Sequence, residues 1–180
     1  MTADSALWVG HTAQLPPDLA EQARAVCDRA FAGDFDDADW AHALGGLHAL
    51  VLRDGRVLAH GALVARGLWH AGRPLRAGYV EAVAVDPDHR RRGHGGAVLA
   101  VLEDAARRVH QAGALSTSDA GRRLYLSRGW VPWRGPTAVL EPGGVRRTPD
   151  DDDAVLVLPG TVPLDPDRLL VCDGRDGDPW

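Results

Sequence analysis

Residues 79–103 read as a strand, a basic glycine-rich loop and a helix. The strand is apolar and carries one carboxylate, Glu81, and the loop that follows is Arg90-Arg91-Arg92-Gly93-His94-Gly95-Gly96. A turn that opens a helix leaves backbone N–H groups without acceptors, and glycine allows close approach because it has no Cβ. Together with the helix dipole and three arginines, these donors predict a phosphate or pyrophosphate site.

The spacing of the glycines and arginines in the loop narrows the choice of ligand. Arg90-x-x-Gly93-x-Gly95 resembles the R/Q-x-x-G-x-G/A signature of the GCN5-related N-acetyltransferases, and it fits neither the P-loop nor G-x-G-x-x-G. In that family the loop holds the pyrophosphate of acetyl-CoA, so the resemblance implies acetyl-CoA as co-substrate. The implied coenzyme contacts are Val83, Ala84, Val85, Arg90, Arg91, Arg92, Gly93, His94, Gly95 and Gly96. A basic turn that only caps a core helix is the alternative.

Length and composition favour one domain over residues 1–180, and the resemblance implies that it is an N-acetyltransferase domain. No apolar run approaches the ~18 residues of a membrane span, and the first five residues do not resemble a secretory signal. We therefore expect a cytoplasmic protein with no membrane partner. Cys27 and Cys172 are far apart in sequence, and a disulfide is not expected in a cytosolic protein. Neither has metal-ligand spacing with a histidine, so no metal is expected.

The net charge of −5 is unevenly distributed. Acidic residues cluster at 34–39, at 150–153 and at 173–178, the last followed by Trp180, while three arginines share one loop. This pattern is typical of a protein that handles one polyanion and one polycation, although acidic loops are usually just solvated surface. A nucleic-acid partner is not expected, because the net charge is negative and no aromatic residues interleave the arginines.

The order of elements predicts an α+β fold. Hydrophobic spacing predicts helices beginning at Pro17, after the glycine loop as far as Gly113, and around Tyr125, with Asp37 capping a short helix. Asp54-Gly55 predicts a tight hairpin turn. The last strand is predicted at residues 155–158, with an irregular tail from residue 165 that packs through Trp180.

A second motif and several loops extend the resemblance to nearly the whole chain. Tyr125-x-x-x-Gly129-Trp130 resembles the Y-x-x-x-G-F/W that follows the second core helix of the family, which implies a central mixed, mostly antiparallel sheet flanked by helices. Irregular segments resemble the mycobacterial aminoglycoside 2′-N-acetyltransferases, in which Val stands where this chain has Pro179. These segments are residues 30–35, 45–50, 128–133, 147–152 and 177–180.

Acetyl transfer to an amine needs a neutral amine, donors for the oxyanion and a proton for the thiolate. Glu81 is the candidate base, acting through water, and Tyr125 is the candidate acid. A structural Glu paired with Arg and a packed aromatic ring are the respective alternatives. Backbone groups of Val83 and Val85 are expected to pair with pantetheine as an added strand does, and His94 to contribute its backbone rather than its ring.

The resemblance also implies the acceptor contacts. These are Asp34, Asp39, Glu81, Ala82, Ser116, Asp150, Asp151, Asp178 and Trp180. Such carboxylates suit the ammonium groups of an aminoglycoside acetylated by direct attack in a ternary complex, although a cell-wall amino sugar, a polyamine or a peptide amine fits the same charges. A non-catalytic acetyl-CoA sensor is the alternative of a different class, and a homodimer is the expected assembly.

Overall fold

The computed structural model describes residues 5–180, which divide into two compact units. Unit 1 comprises the described residues up to Val64 together with Val80–Ala105, and unit 2 comprises Ala65–Tyr79 together with Ala106–Trp180. The expectation of a single domain stays a prediction. None of the helices in the described residues is both long and apolar enough to cross a membrane.

Unit 1 is built on antiparallel strands and three helices. The strands are β1 (Ala6–His11), β2 (Leu47–Arg53), the first part of β3 (Arg56–His70) and the last part of β4 (Arg73–Val85). The helices are α1 (Pro17–Ala30), α2 (Asp37–His42) and most of α3 (His94–Val109). Asp54 and Gly55 join β2 to β3 with φ of 52° and 74°. Two residues of positive φ form the predicted type I′ hairpin turn.

Helices α1 and α3 cover opposite faces of the unit 1 strands. Cys27 on α1 lies 3.7 Å from the ring of His60, whereas a Cβ on Gly61 would come within 2.7 Å of Val98 on α3. Successive residues of a strand point to opposite faces, so glycine at position 61 allows α3 to pack closely on β3. Cys27 is fully buried.

Unit 2 contains both parallel and antiparallel strand pairs. Its further elements are β5 (Ala112–Ser116), α4 (Asp119–Leu126), β6 (Val131–Pro132), β7 (Thr137–Glu141), β8 (Gly144–Arg147), β9 (Val155–Leu158) and β10 (Leu170–Asp173). β5 is parallel to β4 and antiparallel to β9, while β10 is antiparallel to β3 and parallel to β7. The predicted α+β class with a mixed, mostly antiparallel sheet is confirmed.

Three sequence predictions of element limits are wrong. Residues 155–158 are not the last strand, because β10 lies in the tail and pairs on both sides with strands. Helix α3 ends at Val109, and Gly113 lies within β5 rather than at the helix end. Asp36, not Asp37, caps α2, because its carboxylate accepts from the N–H groups of Ala38 and Asp39.

Candidate functional site

The predicted base lies where strand β4 departs from regular extension. Glu81, Ala82 and Val83 are half-buried in succession, whereas the four residues before them are buried. Ala82 has φ of 49°, a left-handed conformation that is uncommon for a residue with a side chain. A left-handed residue inside a strand is typical of a bulge, which locally interrupts pairing and re-aims side chains. Glu81 therefore precedes an irregularity of the kind often found at active sites.

The basic loop turns sharply before α3. Arg91 and Gly93 have φ of 58° and 83°, and α3 begins at His94. The three arginines and Gly93 are exposed. The first N–H groups of a helix have no intrahelical acceptor, so the start of α3 offers donors next to three positive side chains. This geometry suits the predicted anion, and the residue contacts themselves stay predictions.

A buried carboxylate anchors the loop to the rest of unit 1. Asp86 is fully buried and accepts from the Arg29 guanidinium, from Arg56 at 3.3 Å and from the Asp88 N–H at 3.0 Å. His89 Nδ1 lies 3.4 Å from the same carboxylate. Burial acts to raise the pKa of Asp86, but the Asp88 N–H, His89 and Arg29 hold it below its usual value. Asp86 is therefore an ionised structural anchor at the end of β4.

The ring of His94 is buried within the same loop. Its side chain is 1% exposed, and neither ring nitrogen has a hydrogen-bond partner within residues 5–180. Burial lowers the pKa of His94, and the positive charge of Arg92 acts in the same direction. A neutral, buried ring is consistent with the expectation that the backbone of His94 makes the ligand contact, which stays a prediction.

The first acidic cluster is partly committed to capping α2. Asp39 is half-buried and its carboxylate accepts from the Asp36 N–H at 3.0 Å, which completes a capping box. Asp37 forms an exposed ion pair of 2.7 Å with Arg24. Asp34 is exposed. Of the two residues predicted to bind the acceptor here, Asp34 and Asp39, only Asp39 also has a structural task.

The second candidate catalytic residue lies in unit 2. Tyr125 is 8% exposed on α4, and its ring meets Trp130 edge-on at 5.9 Å. The two aromatic residues of the Tyr125-x-x-x-Gly129-Trp130 motif are thus packed together, and Gly129 between them has φ of 90°. Ser116 is half-buried at the end of β5, paired with Val155.

The second acidic segment and the end of the third lie near each other within unit 2, where the Trp180 indole N–H donates to the Thr148 hydroxyl. Burial raises the pKa of half-buried Asp151, and so do the charges of Asp178, Asp150 and Asp152, against a hydrogen bond from Thr148. Asp152 is structural, because it accepts from the Thr137 N–H and hydroxyl, both at 2.8 Å. We refer to Asp150, Asp151 and Asp178 as the carboxylate cluster. It brings together three of the predicted acceptor residues.

The chain end is tied into unit 2 by a buried cation. Arg66 donates to the backbone oxygen of Asp173 at 2.7 Å and to the carbonyl of Pro179 at 2.9 Å, and its guanidinium lies over the Tyr79 ring. The Trp180 indole N–H donates to the Thr148 hydroxyl at 3.0 Å, and this side chain is buried. The predicted packing of Trp180 is confirmed. Pro179 is held through its carbonyl, which proline shares with every other residue.

Sequence reasoning assigned no role to several buried polar residues. Asp86, Arg66 and His60 belong to no motif, and His48 lies in a resembling segment without a role of its own. The available signals were an Asp at the end of the strand that precedes the basic loop and an Arg inside a largely apolar strand. In the part of the chain that the structure describes, no three His, Cys, Asp or Glu side chains form a metal-binding group. The expectation of no metal stays a prediction.

This chain is similar to known acetyltransferases in sequence. The profile of the Acetyltransferase (GNAT) family matches residues 15–130. An aminoglycoside 2′-N-acetyltransferase from Mycolicibacterium fortuitum is 51% identical to this chain over 174 residues, which cover 94% of this chain and 89% of that protein.

Solved structures share the fold at low sequence identity. ElaA from Escherichia coli matches with a TM-score of 0.60 at 14% identity, over 86% of this chain and 99% of its own. A GCN5-related N-acetyltransferase from Anabaena variabilis matches with a TM-score of 0.59 at 18% identity, over 73% of this chain and 33% of its own. At these identities the likeness concerns the fold alone.

Proposed function

This chain belongs to the acetyltransferase (GNAT) family, and from that membership we propose that it transfers the acetyl group of acetyl-CoA to the 2′-amine of aminoglycosides. One observation carries the choice of acceptor: the aminoglycoside 2′-N-acetyltransferase of M. fortuitum is 51% identical over 94% of this chain. Such an activity inactivates the antibiotic and would confer resistance.

The coenzyme part of the proposal rests on unit 1. The start of α3 would hold the pyrophosphate through its N–H groups, with Arg90, Arg91 and Arg92 adding positive charge. The backbone of residues 83–85, which follows the left-handed Ala82, would pair with the pantetheine arm. Backbone N–H groups of this segment would be the donors for the thioester oxygen, on which negative charge develops during attack.

The chemical step needs a base and an acid. We assign Glu81 to the proton of the attacking ammonium, through a water molecule, because an ammonium has no lone pair. We assign Tyr125 to the proton that the departing thiolate takes up. The nucleophile is then the substrate amine itself, in a ternary complex. Burial raises the pKa of Cys27 to about 12 and of Cys172 to about 11, so an acetyl-cysteine intermediate is disfavoured.

The acceptor part rests on negative charge. In the carboxylate cluster, burial and then the charges of neighbouring carboxylates raise the pKa of Asp151, so a cation placed there would relieve the mutual repulsion of these charges. An aminoglycoside carries several ammonium groups and many hydroxyls, which match carboxylates through charge-assisted hydrogen bonds. Asp34, Asp39, Ala82, Ser116 and Trp180 are the further proposed contacts. We also propose a cytoplasmic location, where acetyl-CoA is available, and a homodimer, which light scattering would test.

Acceptor choice tests the proposal directly. Tobramycin carries an amine at the 2′ position, whereas amikacin carries a hydroxyl there. With acetyl-CoA, we expect tobramycin to release CoA and to give a product acetylated at the 2′ nitrogen by NMR, and we expect amikacin to react far more slowly. Equal rates with both antibiotics, or acetylation at another nitrogen, would exclude the 2′ assignment. Turnover of a polyamine or an amino sugar in preference to tobramycin would favour the alternative acceptors.

A further inference from the structure

Two buried histidines form a continuous hydrogen-bonded chain inside unit 1. His48 Nδ1 and His60 Nε2 are 2.9 Å apart, and both side chains are fully buried. At one end, His60 Nδ1 lies 2.9 Å from the carbonyl oxygen of Ala82. At the other end, His48 Nε2 lies 2.8 Å from the Thr12 hydroxyl, which accepts from the Gly45 N–H at 2.8 Å. We refer to Thr12, His48 and His60 as the histidine chain.

One assignment of protons satisfies the three bonds that run from Thr12 to the Ala82 carbonyl, with the Thr12 hydroxyl donating to His48 at 2.8 Å rather than to the Gly46 carbonyl at 3.3 Å. If each imidazole carries its proton on Nδ1, His60 donates to Ala82 and His48 donates to His60, while the Thr12 hydroxyl donates to His48. Both rings are then neutral. Burial lowers the pKa of His60 to about 3 and that of His48 to about 4, with nearby charge from His48 and His11 acting in the same direction. A neutral pair agrees with the geometry.

The histidine chain ends at the residue where β4 departs from regular extension. The Ala82 carbonyl accepts from His60 and also lies 3.7 Å from the Cys27 thiol. An alanine with φ of 49° is held in an unfavourable conformation, which persists only when its surroundings fix it. A direct bond from a buried, neutral donor to this carbonyl is such a restraint.

The same rings touch the helix that carries Asp39. The Trp40 ring packs against His60 at 5.5 Å and against His48 at 6.4 Å. Trp40 follows Asp39 on α2, and Ala82 follows Glu81 on β4. The histidine chain therefore contacts, within unit 1, the immediate neighbours of two residues that are proposed to meet the acceptor.

We propose that His60, supported by His48 and Thr12, is a positioning residue for acetyl transfer, which holds the Ala82 carbonyl and thereby sets Glu81 and the coenzyme-facing backbone of Val83. The proposal rests on the proposed function. His60 has no contact with the reacting atoms and acts only through the strand. Misplacing a catalytic group by about 1 Å can cost on the order of a hundredfold in rate. Loss of the His60 donor should therefore impair catalysis in protein that remains folded.

Two substitutions at one position separate this role from simple packing. In His60→Asn the amide nitrogen can take the place of Nδ1, whereas in His60→Gln it falls near Nε2 and the bond to Ala82 is lost. His70→Gln is the matched control, because His70 is a buried histidine of the same strand whose Nε2 accepts from the Asp165 N–H in unit 2. Circular dichroism would establish that each variant is folded before kinetics are compared.

The experiment measures kcat and KM with tobramycin, and acetyl-CoA affinity by calorimetry, in all four proteins. We expect His60→Gln to lower kcat/KM at least about tenfold, mainly through kcat, while His60→Asn and His70→Gln stay within about threefold of wild type. If His60→Gln keeps both kcat/KM and acetyl-CoA affinity within threefold, or if His60→Asn loses as much as His60→Gln, the proposal is wrong.

Failure of the acceptor assignment would be visible separately. If the wild-type protein binds acetyl-CoA but acetylates no aminoglycoside, the proposed function fails. The positioning role of His60 is then tested by the calorimetric affinity for acetyl-CoA alone. In that case, weaker acetyl-CoA binding by His60→Gln than by His70→Gln supports the proposal, and equal binding overturns it.

Discussion

Asp86 is buried and Asp151 is half-buried, but the groups around Asp86 are hydrogen-bond donors and cations, whereas those around Asp151 include other carboxylates. Asp86 in unit 1 accepts from two arginines and a backbone N–H, and its pKa lies below the usual value. Asp151 in unit 2 has its pKa raised by burial and then by carboxylates, of which Asp178 acts most strongly. The fold thus supplies the counter-charges of one carboxylate and places like charges around the other.

This difference distinguishes a structural carboxylate, Asp86, from one that we propose binds the acceptor, Asp151. A buried carboxylate with its partners in place stabilises the fold and has little left to offer a ligand. A carboxylate crowded by others costs free energy in the unliganded protein, and a cationic ligand would recover it. Burial and charge alone would have placed both residues in one class, whereas their partners distinguish them.

The largest loss of activity is expected for the proposed base, Glu81. Glu81→Gln keeps the size of the side chain and removes its charge and basicity. Loss of general-base help typically costs about 10²–10⁴-fold in rate, and we expect kcat/KM at neutral pH to fall by that amount. The deficit should shrink as the pH rises, because more of the amine is then already neutral. A full pH–rate profile checks both statements, and wild-type kcat/KM at neutral pH would remove Glu81 from the mechanism.

Asp86→Asn tests the structural side of the comparison. Removing one partner of a buried ion pair typically costs about 3–5 kcal/mol, so we expect a loss of this size in the free energy of unfolding, measured in urea. Because Asp86 holds the short turn Pro87–His89 that leads into the basic loop, acetyl-CoA affinity should also fall, by about tenfold or 1.4 kcal/mol. Its folded pKa is depressed, so its contribution is present above the unfolded pKa and disappears as the pH falls through the folded value. A variant as stable as wild type would contradict the anchor.

The elements that were predicted correctly are those whose structure depends on residues close by in the sequence. The hairpin at Asp54-Gly55 and the helix after the glycine loop depend on neighbours in the chain, and the structure contains both. Strand β10 was missed because its four residues gain their partners from β3 and β7, far away in sequence. A short segment in an Asp- and Gly-rich tail carries too weak a periodicity to reveal such partners.

The histidine chain could not be predicted from the sequence, because it depends on a shift in strand register. Arg53 pairs with Arg56 across the tight turn, and continued without change that register would set His48 opposite Gly61, with the two histidines on opposite faces. The register shifts by one residue between Val51 and Leu52, so Leu50 pairs with His60 and both rings reach one face. A one-residue shift exchanges the two faces of a strand, and no turn signal in the sequence announces it.

The smallest effect is expected for Asp151→Asn, and its sign separates the carboxylate cluster from Asp86. The amide keeps an acceptor oxygen for Thr148 and removes a charge that burial and Asp178 disfavour. The free energy of unfolding should therefore stay unchanged or rise slightly, by up to about 1 kcal/mol, since surface charge effects are of that size. The raised folded pKa gives the same sign, because the unfavourable contribution is present at neutral pH and disappears as the pH falls through that value. In contrast, the KM for tobramycin should rise about threefold to tenfold as one charge-assisted hydrogen bond is lost, and the effect should weaken in salt.

Asp152→Asn is the control, because Asp152 accepts from Thr137 and pairs with Arg147 and should affect stability rather than KM. If Asp151→Asn destabilised the fold as Asp86→Asn does and left KM unchanged, Asp151 would be a structural residue and the contrast between the two regions would fail.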